Sequence, residues 1–210
     1  MKICIINGSP KTGKSTSELL IGYLMPFIKE NEIATYKVCE MDFSEAQFSK
    51  IRDSEVLIFA FPLYIDSINS VLLHFLIELQ KREFRNKNTS VYCIINNGFY
   101  EGRQNHLAAD IMKNWCKAAG LTYGQTLGIG AGEMLPFFKD IPLGHGPNKN
   151  IGIAFQKLVC NMLSLSKGED LFISPNWPRF LWKIQASLSV WYPRAKKNGL
   201  KRRRLKDMAN

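Results

Sequence analysis

The sequence predicts a doubly wound α/β domain, a parallel sheet covered by helices on both faces, followed by a short helical extension. Three observations carry this reading. Strand-like and helix-like periods alternate five times over the first 165 residues, the strand-like runs are apolar almost throughout, and the composition changes near residue 170. Regular alternation implies right-handed crossovers between parallel strands. Strands without polar alternation are those buried on both faces.

The elements follow in order. KICII at 2–6 leads through a turn into a helical pattern at 15–30, and ATYKVC at 34–39 precedes one at 44–53. VLIFAF at 56–61 feeds a helix at 69–85, SVYCII at 90–95 a helix at 104–119, and QTLGI at 125–129 a helix at 148–164. From about Leu171 the chain holds three of its four tryptophans, Trp177, Trp182 and Trp191, and ends in a basic run. We therefore expect a domain at 1–170 and an amphipathic helical extension with a basic tail at 171–210.

Composition narrows the function classes. A hydrophobic fraction of 46% with 22% charged residues is that of a folded domain, and no run approaches the ~18–20 apolar residues of a spanning helix. MKICIING is a first strand, too short for a signal peptide, so a cytoplasmic protein is expected. The five cysteines, Cys4, Cys39, Cys93, Cys116 and Cys160, contain no CxxC pair and no close histidine, so neither zinc nor an iron–sulfur cluster is encoded. Cys4, Cys39 and Cys93 fall in apolar strand-like runs and read as small buried hydrophobes.

The net charge of +10 is localised. Residues 194–206 hold eight of the 28 basic residues, leaving 20 basic against 17 acidic over residues 1–193. The body is nearly balanced, and nucleic acid is not an expected partner.

The loop after the first strand carries the strongest motif. GSPKTGKS at 8–15 matches the phosphate-loop pattern GxxxxGK(S/T) and runs into a helix. Backbone N–H groups at a helix N-terminus, with hydroxyls and lysines nearby, bind phosphate. A triphosphatase also needs a second magnesium anchor, usually an aspartate closing an apolar strand. Here VLIFAFPLY and CIINNGFY carry no acid at the strand tip, and Asp66 lies beyond a proline.

The later loops point to a flat aromatic ligand. Residues 61–67, FPLYIDS, and 96–102, NNGFYEG, place amides and aromatic or apolar walls at the carboxyl edge of the sheet, where ligands of such folds bind. Gly98 permits close backbone approach and Pro62 fixes the exit from its strand. GIGAGEMLPF at 128–137 offers Gly130 and Gly132 either as site-lining glycines or as parts of a plain loop. No Ser-His-Asp or Cys-His set is present; His74, His106 and His145 read as structural or surface histidines, and no catalytic side chain is assigned.

Taken together, GSPKxxxST, PLYxxS and NNGFYEG resemble the flavodoxin-like NADPH-dependent FMN reductases and their NAD(P)H:quinone oxidoreductase relatives over residues 1–165. The resemblance implies a three-layer α/β/α sandwich with a five-stranded parallel sheet in the order 2-1-3-4-5. It implies FMN as cofactor and NAD(P)H as co-substrate, with Ser9, Lys11, Ser15 and Thr16 around the phosphate. Pro62, Leu63, Tyr64 and Ile65 would lie along the isoalloxazine and ribityl, and Asn97, Gly98 and Phe99 at the pyrimidine edge. Lys11 and Ser15 stand where family members commonly have arginine and asparagine, and Ile65-Asp66 where Trp-Gly or a similar pair is frequent.

The implied activity is hydride transfer from NAD(P)H through the flavin to a quinone, nitro, azo or similar acceptor. The alternatives are a flavodoxin-like electron carrier and a P-loop kinase or NTPase. A homodimer is expected because NSVLLHFLIEL at 69–79 is apolar over more than one helical face.

In the extension, Phe180, Leu181, Ile184, Leu188 and Trp191 recur at helical spacing before the basic run. Packing of that face on the domain or on a second subunit is the favoured expectation, and weak contact with a membrane surface the second.

Overall fold

The computed structural model describes residues 1–40, 42–84, 86 and 88–201. The chain divides into two compact units, Met1–Pro175 and Asn176–Asn210.

The first unit is a three-layer α/β/α sandwich. Its strands are β1 (Lys2–Asn7), β2 (Glu32–Lys37), β3 (Val56–Pro62), β4 (Ser90–Asn96), β5 (Thr122–Ile129) and β6 (Leu171–Ile173). All pairings are parallel, in the order β2-β1-β3-β4-β5-β6. The helices are α1 (Thr16–Ile28), α2 (Glu45–Arg52), α3 (Ser70–Gln80), α4 (His106–Ala119) and α5 (Lys149–Leu163).

Side-chain alternation along each strand splits the core into two layers. Ile3 and Ile5 of β1, Val56, Ile58 and Ala60 of β3, and Tyr92 and Ile94 of β4 pack with α1 and α5 residues such as Leu20, Leu24, Phe155 and Leu158. Their neighbours Cys4, Ile6, Leu57, Phe59, Phe61, Val91, Cys93 and Ile95 face α2, α3 and α4 through Phe48, Leu72, Phe75, Leu76 and Trp115. Both faces are therefore dry. Burial pushes the Cys4 and Cys116 thiols up to about 12 and raises Cys93 well above its ordinary value, so all three are protonated packing groups.

Four elements differ from the sequence reading, the first being β5, which begins at Thr122 rather than at 125. The sheet gains β6, which pairs with Leu127, Gly128 and Ile129 of β5 and carries the first unit to Pro175 rather than to residue 170. Asp170 anchors this strand: its Oδ1 accepts from the Thr126 amide at 2.8 Å and the Tyr123 hydroxyl at 2.7 Å, and Lys113 Nζ lies 2.7 Å from Oδ2. β2 lies two residues earlier than expected, and Val38–Glu40 forms a 3-10 turn. Cys39 thus belongs to a loop rather than a strand. The helix expected at 69–85 ends at Gln80; Arg85 lies outside the described residues.

The second unit holds α6 (Arg179–Ala186), a π turn (Ser187–Trp191) and α7 (Tyr192–Lys197). The basic run from Arg202 onward lies outside the described residues.

Candidate functional site

Strand order reverses at β1, with β2 on one side and β3 on the other, so the loops after β1 and β3 diverge around a crevice at the sheet's carboxyl edge. A cleft there is lined by Ser9, Lys11, Ser15, Thr16, Ser17, Pro62, Leu63, Tyr64, Asn96, Asn97, Gly98 and Glu133. Nine of the eleven residues expected from sequence meet in it. The cleft is small, about 70 Å³, and partly open to solvent.

The first loop is held from outside and open inside. Lys37 Nζ donates to Thr12 O at 2.8 Å and Gly13 O at 3.5 Å while pairing with Glu40, and Cys39 Sγ donates to Lys11 O at 3.1 Å. At its start the Gly8 amide donates to Ala60 O at 2.9 Å, and the Ser9 amide to Asn7 Oδ1 at 3.0 Å. A Cβ at Gly8 would meet Leu72 Cδ2 at 2.9 Å, so the residue's smallness lets the loop sit down on α3. Among the described residues, the amides of 12 to 17 have no protein acceptor. Ser15 caps α1 by accepting from the Glu18 amide at 3.1 Å, which leaves its O–H available to donate. Consecutive free amides at a helix N-terminus, beside Lys11, form an anion cradle.

Thr16 lines the cleft as expected and also carries a tether. Its hydroxyl donates to Gly132 O at 3.2 Å, tying the first loop to the segment after β5. Asn96 ties it elsewhere, donating from Nδ2 to Ser17 Oγ at 3.1 Å and Phe61 O at 3.2 Å.

The loop after β3 turns through Tyr64–Ser67, whose backbones exchange two 3.0 Å hydrogen bonds. Ile65 and Asp66 at its tip have φ of 49° and 56°, the double left-handed pair of a type I′ turn. Such φ is unusual for a β-branched residue and stores local strain. The turn carries Ile65 out of the cleft to full, 100%, exposure, so this residue does not line the site. Pro62, Leu63 and Tyr64 remain as its apolar wall.

The loop after β4 supplies Asn97 and Gly98. Asn97 Nδ2 donates to Glu101 O at 3.2 Å, while its buried Oδ1 has no partner among the described residues. A Cβ on Gly98 would meet only Glu133, at 3.9 Å, so the backbone there is open to a ligand. Phe99 is half-exposed and is not part of the cleft lining. Gly130 and Gly132 do not line it either. The Ala131 and Gly132 amides donate to Phe99 O and Asn97 O, and a Cβ at Gly132 would meet Asn96 Oδ1 at 2.9 Å. These glycines lock the two loops together.

Sequence reading missed Ser17, Asn96 and Glu133. The signals were present: Asn96 is a polar residue closing an apolar strand, and Glu133 is the lone acid of GIGAGEMLPF. Lys14 is exposed and stands outside the lining, whereas Lys11 belongs to it.

A larger cavity, about 590 Å³, lies between the Val38–Glu40 turn, α2 and α3. Its walls include Phe43, Phe48 and Phe75, in ring contact with one another, and among its charged groups Arg82 pairs with Glu78. It offers apolar surface rather than a convergent donor set, so the smaller cleft is the better candidate for chemistry. Among the described residues no group of three His, Cys, Asp or Glu side chains is placed to hold a metal, and no helix is long and apolar enough to cross a membrane.

No family model and no curated protein matches this chain. Solved structures do share its fold. An NADH:FMN oxidoreductase in apo form aligns at 18% identity and TM-score 0.59 over 80% of this chain and 91% of its own. An FMN-dependent NADH-azoreductase from Bacillus anthracis str. Ames Ancestor in complex with FMN aligns at 12% identity and TM-score 0.58, over 80% and 100%. RosB with a bound flavin-phosphate intermediate aligns at 14% identity and TM-score 0.59, over 94% and 87%. The fold is flavodoxin-like.

Proposed function

We propose that this chain is an FMN-dependent NAD(P)H oxidoreductase that passes electrons to a quinone, nitro, azo or similar acceptor. The observation that carries the proposal is the pairing, in one cleft, of an anion cradle with an orphaned acceptor beside apolar walls. FMN has three parts that need different hosts, and the residues present fit each. The free amides of 12 to 17, with Lys11, Ser9 and Ser15, suit a phosphate. Pro62, Leu63 and Tyr64 suit the flat ring and its polyol chain. The unpaired Asn97 Oδ1 suits the single N–H on the ring's pyrimidine edge, and satisfying it would remove the cost of a buried unpaired acceptor.

Bound FMN would supply the hydride and electron chemistry itself. The protein's share is then binding, orientation and electrostatics. The open backbone at Gly98 permits close approach along the pyrimidine edge, where N–H donors favour negative charge. The Lys37 and Cys39 contacts hold the phosphate loop in its binding shape before the ligand arrives, which lowers the ordering cost of binding. Strands β3 and β4 end in Pro62 and Asn96, without the carboxylate a magnesium nucleotide site would use.

A homodimer belongs to the same proposal. α3 buries Leu72, Phe75, Leu76 and Leu79 but leaves Leu73 and Ile77 exposed, and Tyr64, Ile65, Phe99 and Leu107 are exposed as well. Light scattering at micromolar concentration would show twice the chain mass; a monomer would remove this part of the reading. The compartment proposed is the cytoplasm, where NAD(P)H is at hand and thiols stay reduced.

The activity is tested by loading the protein with FMN and adding NADH or NADPH without oxygen, following the visible flavin absorbance. Rapid bleaching, reversed by a quinone or azo dye, is expected. A flavin that either nucleotide leaves oxidised, while a reduced protein donor bleaches it, would assign an electron carrier instead.

A further inference from the structure

We propose that the C-terminal unit is a peripheral anchor that lies on the surface of an anionic phospholipid bilayer, its apolar stripe among the acyl boundary and its basic residues on the headgroups. Between residues 171 and 210 there are ten basic residues and one acid, Asp207, so this segment holds almost all of the chain's net charge of +10. The structure adds the shape. α6, the π turn and α7 follow one another without a break; Phe180 and Ile184, four residues apart, share one side of α6, and Leu188 and Trp191 follow in the π turn. All four are more than half exposed, Phe180 at 62% and Trp191 at 61%, and α6 buries no residue at all.

Basic residues flank that stripe. Lys183 lies off it within α6, and Arg194, Lys196 and Lys197 occupy the last turn of α7, followed by Lys201. An exposed stripe of large apolar side chains including a tryptophan, bordered by lysine and arginine, is the composition of an interfacial helix. Charge argues against a second copy, which would bring the same excess of positive charge against itself. A nucleic acid would use the lysines and arginines but leave Ile184 and Leu188 in water. Anionic lipid uses both.

The test is co-sedimentation of the full chain with vesicles of phosphatidylcholine alone and of phosphatidylcholine mixed with phosphatidylglycerol, at low and high salt. Several basic residues near the surface are expected to favour the anionic vesicles by roughly tenfold or more, falling with salt. Ile184→Asp with Leu188→Asp should abolish vesicle binding while FMN affinity and far-UV circular dichroism stay unchanged, and Ile184→Leu with Leu188→Ile should restore it. Lys196→Gln with Lys197→Gln should reduce it in part. Equal or absent binding to the two vesicle types overturns the proposal. So does tighter binding to duplex DNA or RNA that survives the double aspartate variant, or loss of the dimer in that variant without loss of vesicle binding.

Discussion

Helix α5 and the helical stretch beginning at α6 are both amphipathic, and their fates differ. α5 buries Ile151, Ala154, Phe155, Leu158, Val159 and Met162 against the sheet. α6 buries nothing, and its large apolar residues stand in solvent. Periodicity therefore reports that a helix has an apolar face, not what covers it. The body around α5 is electrically balanced and close-packed. The C-terminal unit is strongly basic and small, and under the anchor proposed above its apolar residues are covered by lipid.

The contrast can be broken by mutation. The largest effect is expected in the body: Phe59 is fully buried and its ring meets Trp115 edge-on at 5.5 Å, so Phe59→Ala should cost about 3–5 kcal/mol in urea denaturation. Phe180→Ala in α6, by the same measurement, should lie within about 0.5 kcal/mol of the parent chain. Comparable losses at both positions would mean the two helical faces are alike after all.

A smaller effect sharpens the site. Lys11→Ala should weaken FMN by about tenfold, the scale of one partly exposed charge-assisted contact, and Lys14→Ala by less than about twofold. Fluorescence titration reads both, and the reverse order would return the phosphate loop to the triphosphatase reading. Thr16→Ala acts through the tether to Gly132 O, so it should weaken FMN and riboflavin alike, whereas Lys11→Ala should spare riboflavin.

The least disruptive test concerns the thiols. Cys4, Cys93 and Cys116 are buried and held protonated, so a thiol reagent near neutral pH should label only Cys39 and the exposed Cys160 in the folded chain. Mass spectrometry of the labelled peptides decides. Modification of Cys93 without unfolding would contradict the dry, double-faced sheet.

Much of the fold was legible because burial on both faces writes continuous apolar runs, as in Val56–Pro62 and Ser90–Asn96. β6 was not, since three half-buried residues have no measurable period and the strand is fixed by Asp170, a polar anchor. β2 was displaced because it is an edge strand with exposed positions, while Val38, which looks like strand, is buried in a turn. At the site, the resemblance pointed to eleven residues, of which nine line one cleft. The same resemblance included Ile65, which the type I′ turn carries outside that cleft. Glu133 was missed because it reaches Gly98 from a segment after the next strand.

The central claim is that one cleft grips a flavin by its phosphate. Titration of the purified, flavin-free protein with FMN, riboflavin and magnesium ATP, followed by quenching of flavin fluorescence and by calorimetry for ATP, tests it directly. The account predicts tight FMN binding, riboflavin weaker by at least about tenfold for want of the phosphate, and no ATP binding. Tight magnesium ATP binding without FMN uptake, or equal affinity for FMN and riboflavin, would contradict it.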